Sequence, residues 1–176
     1  MPKIIAHVRE QLLEEAKRQV REYGYAKTTI RSVASACGVG VGTVYNYFPS
    51  KDMLIASFML EDWQDCLQAM QGHSTQDSLV FMEGIYSELS AYIDKHQALF
   101  ADTDASKVFA AAFAGRHKIL REQLAGVVLP ICNSSAEIDA LFLAEYIAES
   151  LLTWTVAGKS YGDLSPVLKL LLCNNI

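Results

Sequence analysis

Thr43, Tyr45, Asn46 and Tyr47 crowd four hydrogen-bonding side chains into five residues, beside Gly42 and a few residues before Lys51. Two tyrosines and a threonine on the outer face of a short helix are unusual for a merely solvated surface. They suit hydrogen bonds to phosphate oxygens and to base edges. Gly42 lets a backbone approach closely, and the Lys51 ammonium is placed to meet a phosphate. Upstream, Thr29 and Arg31 open a second short segment. Thr29 reads either as a helix N-cap or as a phosphate contact, and the two roles are compatible. Arg31 is evenly balanced between a groove contact and a solvated charge, whereas Lys17, Arg18 and Arg21 read as solvated.

Other chemistries find no support in the sequence. Residues 52–176 hold no nucleophile elbow, no glycine-rich phosphate loop and no defensible catalytic cluster, so no enzyme activity is expected. The four cysteines (Cys37, Cys66, Cys132, Cys173) and four histidines are scattered, without C-x-x-C or metal-ligand spacing. No metal and no cofactor is expected, and reduced, half-buried thiols are the simplest reading. No apolar run reaches the length of a membrane span, and the start Met-Pro-Lys-Ile-Ile-Ala-His lacks the apolar region and cleavage site of a signal peptide. A cytoplasmic protein with no membrane partner is expected.

The net charge of −5 at first argues against a polyanionic partner. Its distribution answers the objection. Residues 1–51 hold eight basic and four acidic side chains, and residues 52–176 hold seven basic and sixteen acidic. One end can meet a polyanion while the rest keeps the protein soluble.

Apolar residues recur at spacings of three and four almost throughout, so an all-α fold is expected. A first helix spans about Lys3 to Tyr23 and ends at Gly24. Two short patterns follow: Ile30, Val33, Ala34 and Cys37, then Val41, Val44, Tyr45 and Phe48. The turn Cys37-Gly38-Val39-Gly40 joins them into a helix-turn-helix between about Thr28 and Tyr47. In the second, Val41, Val44 and Phe48 face inward. Ser50 caps a fourth helix to Gln71, a fifth runs from Asp77 to Leu99, and a further one from Ala105 to Val128. Ser134-Ser135-Ala136-Glu137 has capping-box spacing and opens a helix to Ala157. Ser165-Pro166 starts the last. The expected domains are residues 1–50 and 51–176.

From Thr29 to Lys51 the segment resembles the DNA-binding domain of the TetR (tetracycline-repressor) family. Thr29, the Val33-Ala34 pair, the Gly38-Val39 turn, Gly42-Thr43-Val44-Tyr45 and Phe48-Pro49-Ser50-Lys51 stand in the family's order and spacing. The resemblance covers residues 5 to 55 closely and the remainder only in helix count and order. It implies a DNA-binding head followed by a helical ligand-binding and dimerisation bundle. It also implies that Thr29, Arg31, Thr43, Tyr45, Tyr47 and Lys51 contact double-stranded DNA, with Gly42 and Asn46 on the same face. Gly40 departs from the pattern, since the family usually carries Ser or another capping residue there.

What the resemblance implies further is a homodimeric transcriptional regulator, a repressor released from a palindromic operator by a small apolar effector. Ligand binding shifts the fourth helix and alters the separation of two recognition helices, which must sit roughly 34–36 Å or a multiple apart. Trp63, Tyr86, Phe113, His117 and Trp154 are the ligand-contact candidates, though most aromatics at helical spacing are ordinary core. A dimer face is expected from the strongly apolar last two helices, with Leu141, Ala148, Leu151, Leu152, Val167, Leu168 and Leu171. Two other readings stay open: a ligand-independent architectural or division-related DNA-binding factor on the same fold, and an enzyme or pure interaction module with a vestigial head.

Overall fold

The structure, a computed structural model, describes residues 7–133 and 138–173, apart from the side chains of 104–116 and of 173. Every regular element among the described residues is a helix, as the periodicity requires. In chain order they are α1 (Val8–Lys27), α2 (Ile30–Ala36), α3 (Val41–Tyr47), α4 (Lys51–Gln71), α5 (Ser78–Lys95), α6 (Gln97–Phe100), α7 (Thr103–Val128), a 3₁₀ turn (Leu129–Ile131), α8 (Ala140–Val156) and α9 (Tyr161–Cys173).

The chain forms two compact units that do not follow a single cut at residue 50. Met1–Asp62 and His96–Ala112 make the first, and Trp63–Lys95 with Phe113–Ile176 make the second. The helix α4 therefore contributes its first half to one unit and its second half to the other. In the first unit Leu12, Leu13 and Ala16 of α1 are sealed with Val33, Ala34, Val44, Leu54, Ile55 and Phe58. In the second, one apolar cluster joins Trp63 and Met70 of α4, Met82 and Ile85 of α5, Leu124 and Val128 of α7, and Ile147 and Leu151 of α8.

Several boundaries depart from the expected ones. Residues 1–6 lie outside the described residues, so the start expected at Lys3 does too. Gly24 sits at φ 81°, ψ 170° and kinks α1, which then resumes for one turn to Lys27. Only glycine adopts that backbone readily. The long fifth helix is divided at His96, which leaves helical geometry and is buried with its Nε2 3.1 Å from Asp62 Oδ2. Ser134–Glu137 lie outside the described residues, but α8 starts only at Ala140, where Asp139 accepts from the Phe142 amide at 3.0 Å and caps it. The last helix starts at Tyr161 rather than at Pro166. Ser160 and Asp163 cap it reciprocally: the Ser160 amide donates to Asp163 Oδ2 at 2.8 Å, and the Asp163 amide donates to Ser160 Oγ at 3.3 Å. Pro166 then falls inside the helix.

Ala148, Leu151, Leu152 and Leu168, expected at a dimer face, are instead buried within the chain's own core, Ala148 to 0% exposure. A helix apolar on all sides has an inner face as well as an outer one, and these residues hold the inner face. Cys37, Cys66 and Cys132 are unpaired thiols. Burial pushes Cys66 up to about 12 and Cys132 up to about 11, because a thiolate is poorly solvated there. No group of three His, Cys, Asp or Glu among the described residues is arranged to hold a metal ion. No helix among them is long and apolar enough to cross a membrane.

The core placement of Leu151 is testable. Leu151→Ala is expected to lower folding stability by about 2–5 kcal/mol in urea unfolding. Unchanged stability, with only self-association weakened, would return Leu151 to the interface.

Candidate nucleic-acid interface

A seven-residue helix has too few internal hydrogen bonds to persist alone, so α2 and α3 depend on how they are capped and anchored. At the start of α2, Thr29 Oγ1 accepts from the Ser32 amide at 3.0 Å while Ser32 Oγ accepts from the Thr29 amide at 3.0 Å. Thr29 is thus the N-cap of a complete capping box. Before it, the fully buried Thr28 donates its hydroxyl to Gly24 O at 2.9 Å. Glu15 of α1 accepts from Arg18 at 2.6 and 2.9 Å. That guanidinium holds the Glu15 carboxyl below its ordinary range.

The turn between α2 and α3 is a Schellman motif. The Gly38 amide donates to Ser35 O at 3.2 Å and the Val39 amide to Ala34 O at 3.0 Å. Gly38 carries φ 66°, which a side chain would strain. Gly40 is the N-cap of α3 and supplies no side-chain hydrogen bond. Beyond α3, Ser50 Oγ accepts from the Met53 amide at 3.1 Å and caps α4.

The anchored face of α3 is narrow. Val44 is fully buried and Phe48, just past the helix, nearly so. Val41, expected to face inward, is exposed: at the first helical position it precedes the turn that packs. The opposite face holds Gly42, Tyr45, Asn46 and Tyr47, all exposed, with Tyr45 at 52% and Tyr47 at 47%. Thr43 is half-buried, and Arg31 on α2 is exposed. A Cβ added at Gly42 meets nothing within 4 Å, so the space above it is open.

Lys51 is less free than its position in the sequence implied. Its Nζ donates to Tyr25 O at 3.0 Å and lies 3.6 Å from the Tyr25 ring centroid, a cation–π contact. The Tyr25 hydroxyl donates in turn to Asp52 Oδ1. The ammonium is therefore held in place, with donors left over for an anion. Sequence reasoning did not single out Tyr25, Asp52 or Ser32. The spacing Thr29-x-x-Ser32 was the one local signal available, since a hydroxyl at the third helical position can close a capping box.

The described ligand-contact candidates each have their own partners. Trp63 is buried in the second unit, donating Nε1 to Gln123 Oε1 at 2.9 Å and meeting Tyr92 edge-on at 5.3 Å. The Tyr86 hydroxyl donates to Lys159 O at 2.9 Å. His117 lies at the surface with Nε2 2.9 Å from Glu149 Oε2. The side chain of Phe113 lies outside the described residues. Trp154 borders an open groove of about 200 Å³ between α8 and α9, which Trp63, Tyr86 and His117 do not line.

Residues 12–58, spanning the capped helices just described, match the sequence profile of bacterial regulatory proteins of the tetR family. The chain resembles that family over this helix-turn-helix head. It is 38% identical over 66 residues to the HTH-type transcriptional repressor Rv1474c of Mycobacterium tuberculosis, a match covering 35% of each protein. The match to the HTH-type transcriptional repressor KstR of the same organism is 28% identical over 173 residues, 92% of this chain and 77% of KstR. The chain thus matches about a third of the length of the first relative and most of the second. Among solved structures, the TetR family repressor AlkX from Dietzia sp. superposes with a TM-score of 0.64 at 16% identity, over 92% of this chain and 98% of AlkX, which shows the shared fold. The match over residues 12–58 supports a helix-turn-helix head of the tetR type.

The missing cap gives a direct test. The nearest atom to a Cβ at position 40 is Thr43 Oγ1 at 3.8 Å, so Gly40→Ser fits, and its hydroxyl can accept from the Thr43 amide. A gain of a few tenths to about 1 kcal/mol in thermal unfolding is expected. A loss of stability would show that α3 is held in another way.

Proposed function

We propose that this protein is a cytoplasmic, homodimeric repressor that occupies a palindromic DNA site with α3 and is released by a small apolar effector. One observation carries the DNA-facing part of the proposal: α3 turns Tyr45, Asn46 and Tyr47 outward while its backbone is fixed by the Schellman turn and the buried Val44. A rigid backbone with exposed hydroxyl and amide groups is what groove reading needs. In this reading Thr29, Arg31, Tyr45, Tyr47 and Lys51 contact phosphates, while Thr43 and Asn46 reach base edges across Gly42. The names of Rv1474c and KstR as repressors support negative rather than positive control. Release by an effector rests on the family, and α4 and α7, which each belong by sequence to both units, are covalent links available to transmit it.

Dimerisation is supported by the outer face of α8 and α9. Phe142 is 64% and Leu170 62% exposed, and Leu141, Tyr146, Trp154, Val156 and Val167 are exposed with them. Apolar groups in such number on two adjoining helices are costly to leave in water. Leu141 and Val167 were anticipated there, and Leu171 is half-buried beside them.

Selecting bound fragments from random DNA tests the first claim, and an inverted repeat protected from cleavage is the expected product. Gly42→Ala sharpens it. With open space at that Cβ, the substitution should raise the stability of the free protein by about 0.5–1 kcal/mol through helix propensity. It should also lower affinity for the selected site. Equal or tighter DNA binding would remove Gly42 from the interface.

The dimer is tested separately by Leu170→Asp in sedimentation equilibrium. A monomer that keeps its helicity and loses half-site cooperativity on DNA is expected. A dimer of undiminished stability would overturn this face.

A further inference from the structure

Outside the helix-turn-helix, one buried polar side chain is aimed at it. Gln19 of α1 is 4% exposed and stands between two polar partners. Its Nε2 donates to Glu15 Oε1 at 2.7 Å, and its Oε1 accepts from Ser32 Oγ at 2.6 Å. Ser32 is the residue that closes the capping box on Thr29. A continuous chain of hydrogen bonds thus runs from Arg18 through Glu15, Gln19 and Ser32 to Thr29.

The direction of this chain follows from what each group can donate. Glu15, salt-bridged to Arg18, offers only acceptors, so the Gln19 amide must present its nitrogen there and its oxygen to Ser32. Ser32 has one hydroxyl proton, and its shortest acceptor is Gln19 Oε1. The lone pairs of Ser32 Oγ are then left to receive the Thr29 amide at 3.0 Å. Reversing the Gln19 amide would set its oxygen against the Glu15 carboxylate, so one orientation is favoured. In a buried network such preferences reinforce one another.

We infer that Gln19 is a positioning residue for DNA binding: its oriented amide fixes the first turn of α2 on α1, and through it Thr29 and Arg31. This rests on the DNA-facing reading given above. Without the Gln19 amide, the capping box and the apolar packing of Val33 and Ala34 remain, but the hydrogen bond that ties the first turn of α2 to α1 is lost.

The test measures affinity for the selected DNA site, well below the melting temperature, alongside folding stability. Gln19→Glu puts a second carboxylate against Glu15 and is expected to weaken DNA binding by roughly tenfold, with sequence preference unchanged. The exchanged pair E15Q/Q19E restores a donor at one position and an acceptor at the other, and should bring affinity back to within about threefold of the starting protein. Ser32→Ala interrupts the chain at its far end, and combining it with Gln19→Glu should cost little more than the worse single change. That variant also serves if Gln19→Glu alone fails to fold. Affinity that stays constant while only stability falls, or an exchanged pair that recovers stability but not affinity, overturns the inference. Absence of any site preference in the unmodified protein overturns the DNA reading and this inference with it. Clear preference in the unmodified protein together with indifference to all three variants overturns this inference alone.

Discussion

A helix of seven residues, such as α3, that buries one side chain along its length cannot set its own direction, and the first unit is organised around that constraint. Each end of α3 is fixed by something outside it. Upstream, the Schellman turn at Gly38 ends α2 and relaunches the chain at a set angle. Downstream, Phe48 is buried and Ser50 caps α4, so the chain leaves α3 as tightly held as it arrived. Rigidity at both ends lets the outer face carry polar groups that contribute nothing to folding. Tyr45 and Tyr47 can remain exposed because Val44 and the two turns hold the backbone beneath them.

The second unit solves a different problem with helices that are apolar nearly all round. In α8 the inner positions Leu143, Ile147, Ala148 and Leu151 enter the core, while Phe142, Tyr146 and Trp154 stay on the outer face. The outer residues recur at intervals of four and eight, which places them in a single stripe on one side of the helix. An evenly apolar sequence does not say which half faces inward, because both halves obey the same spacing. This is why Ala148, Leu151, Leu152 and Leu168 read as interface residues and proved to be core.

The order and type of the elements, by contrast, were legible because long amphipathic patterns leave little choice. The helix-turn-helix was legible for a second reason: glycine and hydroxyl residues sit where backbone geometry and capping demand them. Boundaries were lost wherever a short polar residue could cap. The Ser160–Asp163 pair outcompeted Pro166 as a helix start, and sequence alone ranks such rivals poorly. Within the interface, the outward positions of Tyr45, Asn46 and Tyr47 followed from the period. The restraints on Lys51 and the burial of Gln19 did not, since both depend on partners 13 to 27 residues away.

The same limit hides a buried charge cluster of the first unit. Lys17 Nζ lies 3.0 Å from Asp62 Oδ1, and His96 Nε2 lies 3.1 Å from Asp62 Oδ2, with Asp62 and His96 both almost fully buried. Burial alone would lower the Lys17 ammonium, but the bonds from Glu14 and Asp62 outweigh it and hold it above its ordinary range. As isolated residues in the sequence, Lys17 reads as solvated and His96 as unremarkable. Brought together they exact a desolvation cost that a well-packed apolar trio would avoid, so net stability is a poor reason for their presence. What a shared carboxylate does supply is placement. It accepts from α1 and from the segment before α6 at once, and sliding either by one residue would leave a buried charge uncompensated. Charge pairing in the core thereby fixes the register of α1, the helix on which Gln19 and the capping box of α2 depend.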